Sequence, residues 1–126
     1  MYAPAADTYC PNSIAVKQSI EEVPEGWKAV EGGARLQLSG ITFFSGPPQE
    51  KASLAYDSWV KRKGLAYGVW HFEPKSGRRI WLSCSYANTS VVLTKPMPAE
   101  TSECRVTYDP NALVGGLPKI KGIACR

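Results

Sequence analysis

Four cysteines and a single histidine are the residues whose chemistry could define a site in this chain of 126 residues. The cysteines are Cys10, Cys84, Cys104 and Cys125, and no two of them form a Cys-x-x-Cys pair. A structural zinc site usually draws on two close ligand pairs, and a dithiol redox centre on one, so this spacing fits neither chemistry. An even number of well-separated cysteines is instead typical of disulfides in an exported protein.

Four cysteines allow three ways of forming two disulfides, and the alternative is four reduced thiols. Placement on strands favours Cys84–Cys104 and Cys10–Cys125. Cys84 and Cys104 fall on the inward faces of two predicted strands, where a bridge would fix the strand register. A bridge between Cys10 and Cys125 would tie the first predicted strand to the last. All four cysteines are therefore candidate disulfide residues, and none is a candidate nucleophile.

The other residue types used in catalysis are scattered. His71 lies between Trp70 and Phe72 in a predicted strand, which favours a packed or surface imidazole over a general base. Glu100 and Glu103 form a near pair of carboxylates, but they lie in a proline-rich loop with no sign of a shared pocket. The sequence also lacks the common nucleophile-elbow, nucleotide-binding and metalloprotease motifs. We therefore predict no catalytic residue, no metal ligand and no cofactor.

The elements that position these residues are mostly strands. Ten prolines and eleven glycines interrupt short runs in which polar and apolar residues alternate. Residues 35–43 alternate until Gly40, where we expect a β-bulge. Residues 79–86 alternate with Cys84 on their apolar face and lead into a hairpin turn. This spacing predicts a mainly β fold: an antiparallel β-sandwich or barrel-like sheet with at most one or two short helices.

The N-terminal residues bear on the compartment. Ala3-Pro4-Ala5-Ala6 is typical of the small-residue end of a cleaved signal peptide. We therefore expect residues 1–9 to be a disordered remnant of an export or expression segment, and residues 10–126 to form a single disulfide-bonded domain in the periplasm. No stretch approaches 18 consecutive apolar residues, so no membrane-spanning helix is expected.

Two segments interrupt the strand pattern. Apolar residues recur at helical spacing between positions 52 and 60, so this segment is predicted either as a short amphipathic helix or as an irregular excursion. A short helical turn is predicted to begin at Asp109-Pro110 and to end at Gly115-Gly116.

Charge and aromatic residues indicate a binding surface. Residues 1–60 carry four basic and seven acidic residues, whereas residues 61–126 carry eleven basic and four acidic ones. The densest basic cluster, Lys61-Arg62-Lys63, is either solvated loop charge or a surface for an acidic partner, and it lacks the interleaved aromatics expected for nucleic-acid binding. Trp59 lies beside it in residues 45–64, the longest predicted connection, and an exposed Trp with Arg is typical of binding hot spots. We therefore predict a partner-binding protrusion there, with these candidate residues: Trp59, Lys61, Arg62, Lys63 and Phe44.

The other three tryptophans are Trp27, Trp70 and Trp81. Exposed tryptophans could form a platform for carbohydrate. In a β-rich domain of this size, however, core and cross-strand packing is the simpler interpretation of these side chains.

Several motifs resemble those of a family of small exported proteobacterial proteins. They extend over nearly all of residues 10–125: Cys10-Pro11, Pro24-x-Gly26-Trp27, Gly40-Ile41-Thr42-Phe43-Phe44, Trp81-Leu82-x-Cys84-x-Tyr86 and Cys104-x-Val106-x-Tyr108. That family has no established enzymatic activity, so the resemblance implies no catalytic residue. Its members look like periplasmic proteins encoded in regions that carry bacterial competition systems, which implies an immunity role.

Together these observations favour a small periplasmic protein-binding module, best interpreted as an immunity-type inhibitor of a cell-wall-targeting toxin. Its partner would be a toxin or an envelope protein, close to peptidoglycan, and nucleic acid is not expected. The alternative is an accessory protein that binds an envelope glycan or lipid without catalysis. An enzyme is the least supported class, because no catalytic constellation is present in the sequence.

Overall fold

In the computed structural model, which describes residues 9–74 and 77–126, the chain is built almost entirely of β-strands. The strands are β1 (Ser13–Gln18), β2 (Gly32–Ser45), β3 (Ser53–Leu54), β4 (Ser58–Arg62), β5 (Leu65–His71), β6 (Ile80–Tyr86), β7 (Val92–Pro96), β8 (Glu103–Val114) and β9 (Leu117–Cys125). The described residues contain no α-helix, and a 3-10 turn at Pro48–Glu50 separates β2 from β3. The predicted mainly β fold is confirmed.

The strands form two antiparallel sheets. The first has the order β1-β2-β6-β7, with the short β3 also paired to β2, and the second has the order β4-β5-β8-β9. The long strand β2 accommodates both neighbours, because residues 32–37 pair with β1 and residues 43–44 pair with β3. Its register against β6 shifts between Leu38 and Gly40, which confirms the bulge predicted at Gly40.

The hydrophobic core lies between the two sheets. Phe43 and Leu82 of the first sheet are fully buried, as are Val106 and Ile123 of the second. The Phe43 ring packs against Trp70, with 5.1 Å between the ring centroids, and thereby joins the two sheets. Each such side chain stabilises the fold by about 1.5–3 kcal/mol through burial alone. The strands are therefore held in two layers mainly by their apolar faces.

The three tryptophans predicted to lie in the core differ in burial. Trp70 is 5% exposed, and its Nε1–H donates a hydrogen bond to the carbonyl oxygen of Leu54 at 3.0 Å, which ties β5 to β3. Trp81 is half-buried. The prediction is wrong for Trp27, which is 74% exposed. Trp27 lies in the connection from β1 to β2, beyond the last paired residues of that hairpin, where no strand of the opposite sheet covers it.

The disulfide pairing predicted from the sequence is wrong, although all four cysteines are bridged. The bridges are Cys10–Cys84 and Cys104–Cys125. The sequence prediction treats the strands of Cys84 and Cys104 as neighbours, but β6 and β8 belong to different sheets. Cys104 instead lies directly opposite Cys125 in the ladder between β8 and β9, with their Cα atoms 4.1 Å apart. Cys10 precedes β1 and reaches Cys84 within the first sheet.

Neither segment predicted as helical contains a helix. Residues 53–54 and 58–62 are β3 and β4, and β4 pairs with β5 over five residues. Backbone pairing with β5 overrides a helical apolar spacing that extends over little more than two turns. The predicted helical turn after Asp109 is the continuation of β8. Gly115 and Gly116, with φ of 58° and 81°, form the two-residue turn into β9, a conformation that glycine adopts at little cost.

The first described residues are fastened to both sheets. The Tyr86 hydroxyl donates to the carbonyl oxygen of Pro11 at 2.8 Å, and the Tyr9 hydroxyl accepts from the backbone N–H of Cys125 at 3.2 Å. Residues 1–8, which make up nearly all of the predicted N-terminal remnant, lie outside the described residues. Within the part that is described, no helix has the length and apolar character needed to cross a bilayer.

Candidate functional site

The predicted anchors Trp59 and Arg62 lie on opposite faces of one strand. They are three residues apart on β4, and successive side chains of a strand point to opposite faces. Trp59 lies opposite Gly68, and Arg62 lies opposite Leu65. Trp59 therefore shares the inward face with the buried residues of β5, whereas Arg62 is on the outer face. The predicted protrusion at residues 45–64 is wrong in its architecture, because this stretch contains β3, β4 and the start of a β-hairpin.

The other three predicted partner-binding residues are also dispersed. Lys61 is on the same face of β4 as Trp59, and Lys63 lies in the turn to β5 with a φ of 52°. Phe44 belongs to β2, in the first sheet, and alternates with the fully buried Phe43. It is half-buried on the outer face of that sheet. The structure thus brings the basic residues to one hairpin and leaves Phe44 elsewhere.

Trp59 belongs to a row of aromatic side chains on the inward face of β4, β5 and β8. Its ring centroid lies 5.2 Å from that of Tyr56 and 5.0 Å from that of Tyr108, and the side chain remains 38% exposed. Burial, and then the nearby Tyr56, raises the pKa of Tyr108 to about 12. A Cβ atom at Gly68 would lie 3.0 Å from the Trp70 ring and 3.4 Å from the Trp59 ring. The glycine inside β5 therefore provides the space in which the two indoles pack.

The outer face of the second sheet carries a shallow basic pocket of about 260 Å³. Its lining residues, which define the basic pocket, are Val60, Arg62, Tyr67, Val69 and Arg105. The Arg105 guanidinium lies 5.5 Å from the centre of the Tyr67 ring, within the range of a cation–π contact. Sequence reasoning missed Arg105, because only the pairing of Val69 with Arg105 between β5 and β8 brings it near Arg62. Two guanidinium groups beside an apolar and aromatic floor can bind carboxylates of a partner surface.

His71 is an exposed imidazole at the end of the same face. Its Nε2 lies 2.8 Å from Glu103 Oε1, and its Nδ1 lies 3.5 Å from Asp57 Oδ2. The backbone N–H of His71 also donates to Asp57 Oδ2 at 2.6 Å. These contacts tie the ends of β5 and β8 to the segment before β4. No cluster of His, Cys, Asp and Glu suited to holding a metal ion occurs among residues 9–74 and 77–126.

A second surface escaped the sequence prediction. The connection between β1 and β2, residues 19–31, is here called the acidic loop. It carries four glutamates and one lysine. Its large apolar side chains are strongly exposed: Ile20 53%, Val23 49%, Trp27 74% and Val30 92%. The sequence signal for this surface was the excess of acidic residues before position 60. The surface was missed because Trp27 was predicted to lie in the core.

Comparison with protein-family models shows what this chain is similar to. A family model described as "Type VI secretion system Tli immunity protein" matches residues 33–126. The match extends from the start of β2 to the end of the chain, so it includes the basic pocket and three of the four cysteines. No curated protein and no solved structure gives a significant match.

Proposed function

Because this chain belongs to the family of type VI secretion system Tli immunity proteins, we propose that it binds and inhibits a toxin in the periplasm. The family match over most of the chain is the observation that carries this function. The two disulfides support an oxidising compartment such as the periplasm. Inhibition of this kind requires a surface complementary to the toxin, and it requires no catalytic group on the inhibitor.

The basic pocket is the proposed contact with the toxin. Arg62 and Arg105 come from different strands and bring two positive charges to the pocket, which favours a partner surface that carries carboxylates. Val60, Val69 and Tyr67 supply apolar area between them, which matches the aromatic and arginine-rich centres of protein interfaces. The complementary toxin surface would be acidic.

Lys61, Lys63 and Trp59 contribute to this surface in different ways. The two lysines raise the positive potential around the β4–β5 hairpin and would speed association with an acidic partner. Trp59 supports the hairpin from its inward face, and its exposed edge can enter the interface at the rim. Phe44 lies in the other sheet and has no part in this contact.

The proposed site is tested with purified toxins of type VI secretion systems, taken one at a time. Wild-type protein should bind one of these toxins and should restore growth when both are directed to the periplasm. Arg62→Glu should lower the association rate constant about tenfold at low salt and reverse its salt dependence, because it reverses a charge that attracts an acidic partner to the basic pocket. Trp59→Ala should raise the dissociation rate constant only slightly, because the exposed edge of Trp59 reaches the interface at its rim.

Lys51→Glu is the matched control, because it makes the same charge reversal between β2 and β3, away from the basic pocket. If wild-type protein neither binds nor protects, the proposed function is wrong. If it protects and Arg62→Glu behaves as Lys51→Glu does, the basic pocket is not the contact.

The sequence also predicts that the toxin attacks the cell wall. The family description names no substrate for the toxin, so this narrower hypothesis stays a prediction. Incubation of the toxin with purified peptidoglycan tests it directly. The toxin alone should release soluble muropeptides, and one equivalent of this protein should suppress that release. Peptidoglycan that stays intact with the toxin alone would contradict the prediction.

A further inference from the structure

The acidic loop extends from a base of paired strands. β1 and β2 remain paired up to Gln18 and Gly32, so the loop leaves and re-enters the sheet on adjacent strands. Lys17 Nζ and Glu31 Oε2, 3.0 Å apart, form an ion pair across this base. The Cys10–Cys84 bridge holds the chain just before β1. The loop is therefore presented outward by a fixed hairpin, as binding loops commonly are.

The position of Trp27 within the acidic loop is defined by a tight turn. The backbone N–H of Trp27 donates to the carbonyl oxygen of Pro24 at 3.1 Å. Gly26, with a φ of 88°, occupies the third position of this turn, where a type II β-turn requires positive φ. Trp27 follows directly and is 74% exposed. The turn thus holds a large aromatic side chain in solvent, which lowers the entropic cost of placing that side chain in a partner's pocket.

The chemistry of the acidic loop indicates what would cover it. Val30 and Trp27 are among the most exposed large apolar side chains of the described residues. Tryptophan is enriched among the residues that dominate binding energy, and it acts from desolvated pockets. The four glutamates and one lysine of the loop give it a net charge of −3. A partner surface that buries Trp27 must therefore offer an apolar socket surrounded by basic groups. The partner surface that suits the basic pocket is acidic, so the two surfaces carry opposite charge.

We propose that the acidic loop is a second contact with the toxin and that Trp27 enters an apolar socket rimmed by Lys and Arg side chains of that toxin. The inference rests on the proposed function and adds a second, oppositely charged contact to it. The loop precedes the residues that the family model matches. It therefore suits a role in selecting one particular toxin, while the matched strands supply the common fold.

Binding kinetics with the purified toxin that is used to test the proposed function also test this inference. Trp27→Ala should raise the dissociation rate constant about 30-fold or more, the effect expected for loss of a hot-spot residue. Combined Glu21→Lys, Glu22→Lys and Glu25→Lys replacements should lower the association rate constant about tenfold at low salt. That difference should shrink as ionic strength rises, because the screening length is about 10 Å at 0.1 M salt. Neither variant should shift the urea unfolding midpoint, since these side chains are exposed.

Two controls match these changes elsewhere on the surface. Leu93→Ala truncates an exposed apolar residue on β7, at the opposite edge of the first sheet from β1. Glu100→Lys reverses an exposed charge next to Thr101, beyond the end of β7. Both control variants should bind the toxin with wild-type rate constants. Quenching of Trp27 fluorescence by acrylamide is an independent readout. It is obtained as the difference between wild type and Trp27→Phe, and it should fall when the complex forms.

The outcomes separate this inference from the proposed function. If wild-type protein binds and protects but Trp27→Ala dissociates no faster than Leu93→Ala, the second contact is absent and the proposed function stands. If wild-type protein does not bind the toxin, both proposals are wrong. If wild-type protein is a dimer by analytical ultracentrifugation and Trp27→Ala is a monomer, the loop is covered by a second copy of the chain and the inference is overturned.

Discussion

Removal of the Cys10–Cys84 bridge should destabilise the protein more than removal of Cys104–Cys125. The change is a pair of alanine replacements, Cys10→Ala with Cys84→Ala or Cys104→Ala with Cys125→Ala, so that no thiol remains to exchange with the other bridge. Alanine is preferred to serine because Cys10, Cys84 and Cys104 are buried. A serine hydroxyl there would need a new hydrogen-bond partner and would add its own cost.

The expected magnitudes follow from the length of chain that each bridge closes. The sequence separations are 74 and 21 residues. In the chain-entropy treatment these correspond to about 4.4 and about 3.3 kcal/mol of stability, a difference of about 1 kcal/mol. The typical unfolding free energy of a domain is about 5–15 kcal/mol, so loss of both bridges, about 7.7 kcal/mol together, should remove half of this stability or more.

The measurement is urea unfolding of the oxidised variants, followed by tryptophan fluorescence. Non-reducing peptide maps of the wild-type protein should first show Cys10 joined to Cys84 and Cys104 joined to Cys125. The slope of free energy against urea should rise most in the variant without Cys10–Cys84, because its unfolded state expands most. The reasoning is refuted if this variant loses less than about 1 kcal/mol, or if it is the more stable of the two, since loop closure would then not control the effect.

Two further predictions concern the aromatic row. Gly68→Ala should cost about 1–3 kcal/mol and alter tryptophan fluorescence, because its methyl group would press on the indoles of Trp59 and Trp70. Gly33→Ala, whose Cβ would have an ordinary 3.6 Å contact, is the control, and an equal loss in both variants would contradict this account. Burial raises the pKa of Tyr108 to about 12 in the folded protein, whereas a tyrosine in the unfolded chain has a pKa of about 10. The folded state therefore gains about 2–3 kcal/mol of stability from the neutral phenol below about pH 10. This stability is lost as the pH rises from about 10 to about 12. Burial also raises the pKa of Tyr86, so urea unfolding at pH 8, 10 and 11.5 should show a larger loss in wild type than in Tyr108→Phe. Parallel pH profiles would show that the Tyr108 phenol does not ionise differently on unfolding.

Local patterns predicted the strands well where each strand's periodicity was regular. The alternation through Leu82, Cys84 and Tyr86 correctly indicated their shared buried face. Pairing between strands distant in sequence left no comparable signal. The sequence does not show that β6 pairs with β2 while β8 pairs with β5, and this assignment to different sheets is what made the disulfide prediction wrong.

At the candidate site, too, the spacing of residues within one segment was visible in the sequence, whereas the pairing of distant strands was not. The spacing of Trp59 and Arg62 would place them on one side of a helix, but a strand sends them to opposite faces. The predicted pair therefore separates into an aromatic row and a basic pocket. Arg105 joins the pocket only through the pairing of β8 with β5, and Trp27 is exposed only because its loop extends beyond the paired hairpin.

The order of the disulfides along the chain has a consequence for how the protein matures. The first cysteine of the chain is bridged to the second, and the third is bridged to the fourth: Cys10 to Cys84 and Cys104 to Cys125. In a chain that emerges N terminus first, Cys84 is the next thiol to appear after Cys10, and Cys125 is the next to appear after Cys104. A nested arrangement would leave Cys10 waiting for Cys125, and a premature bridge would then have to be broken by slow thiol exchange. An oxidant alone can therefore complete both native bridges during emergence, without any rearrangement step.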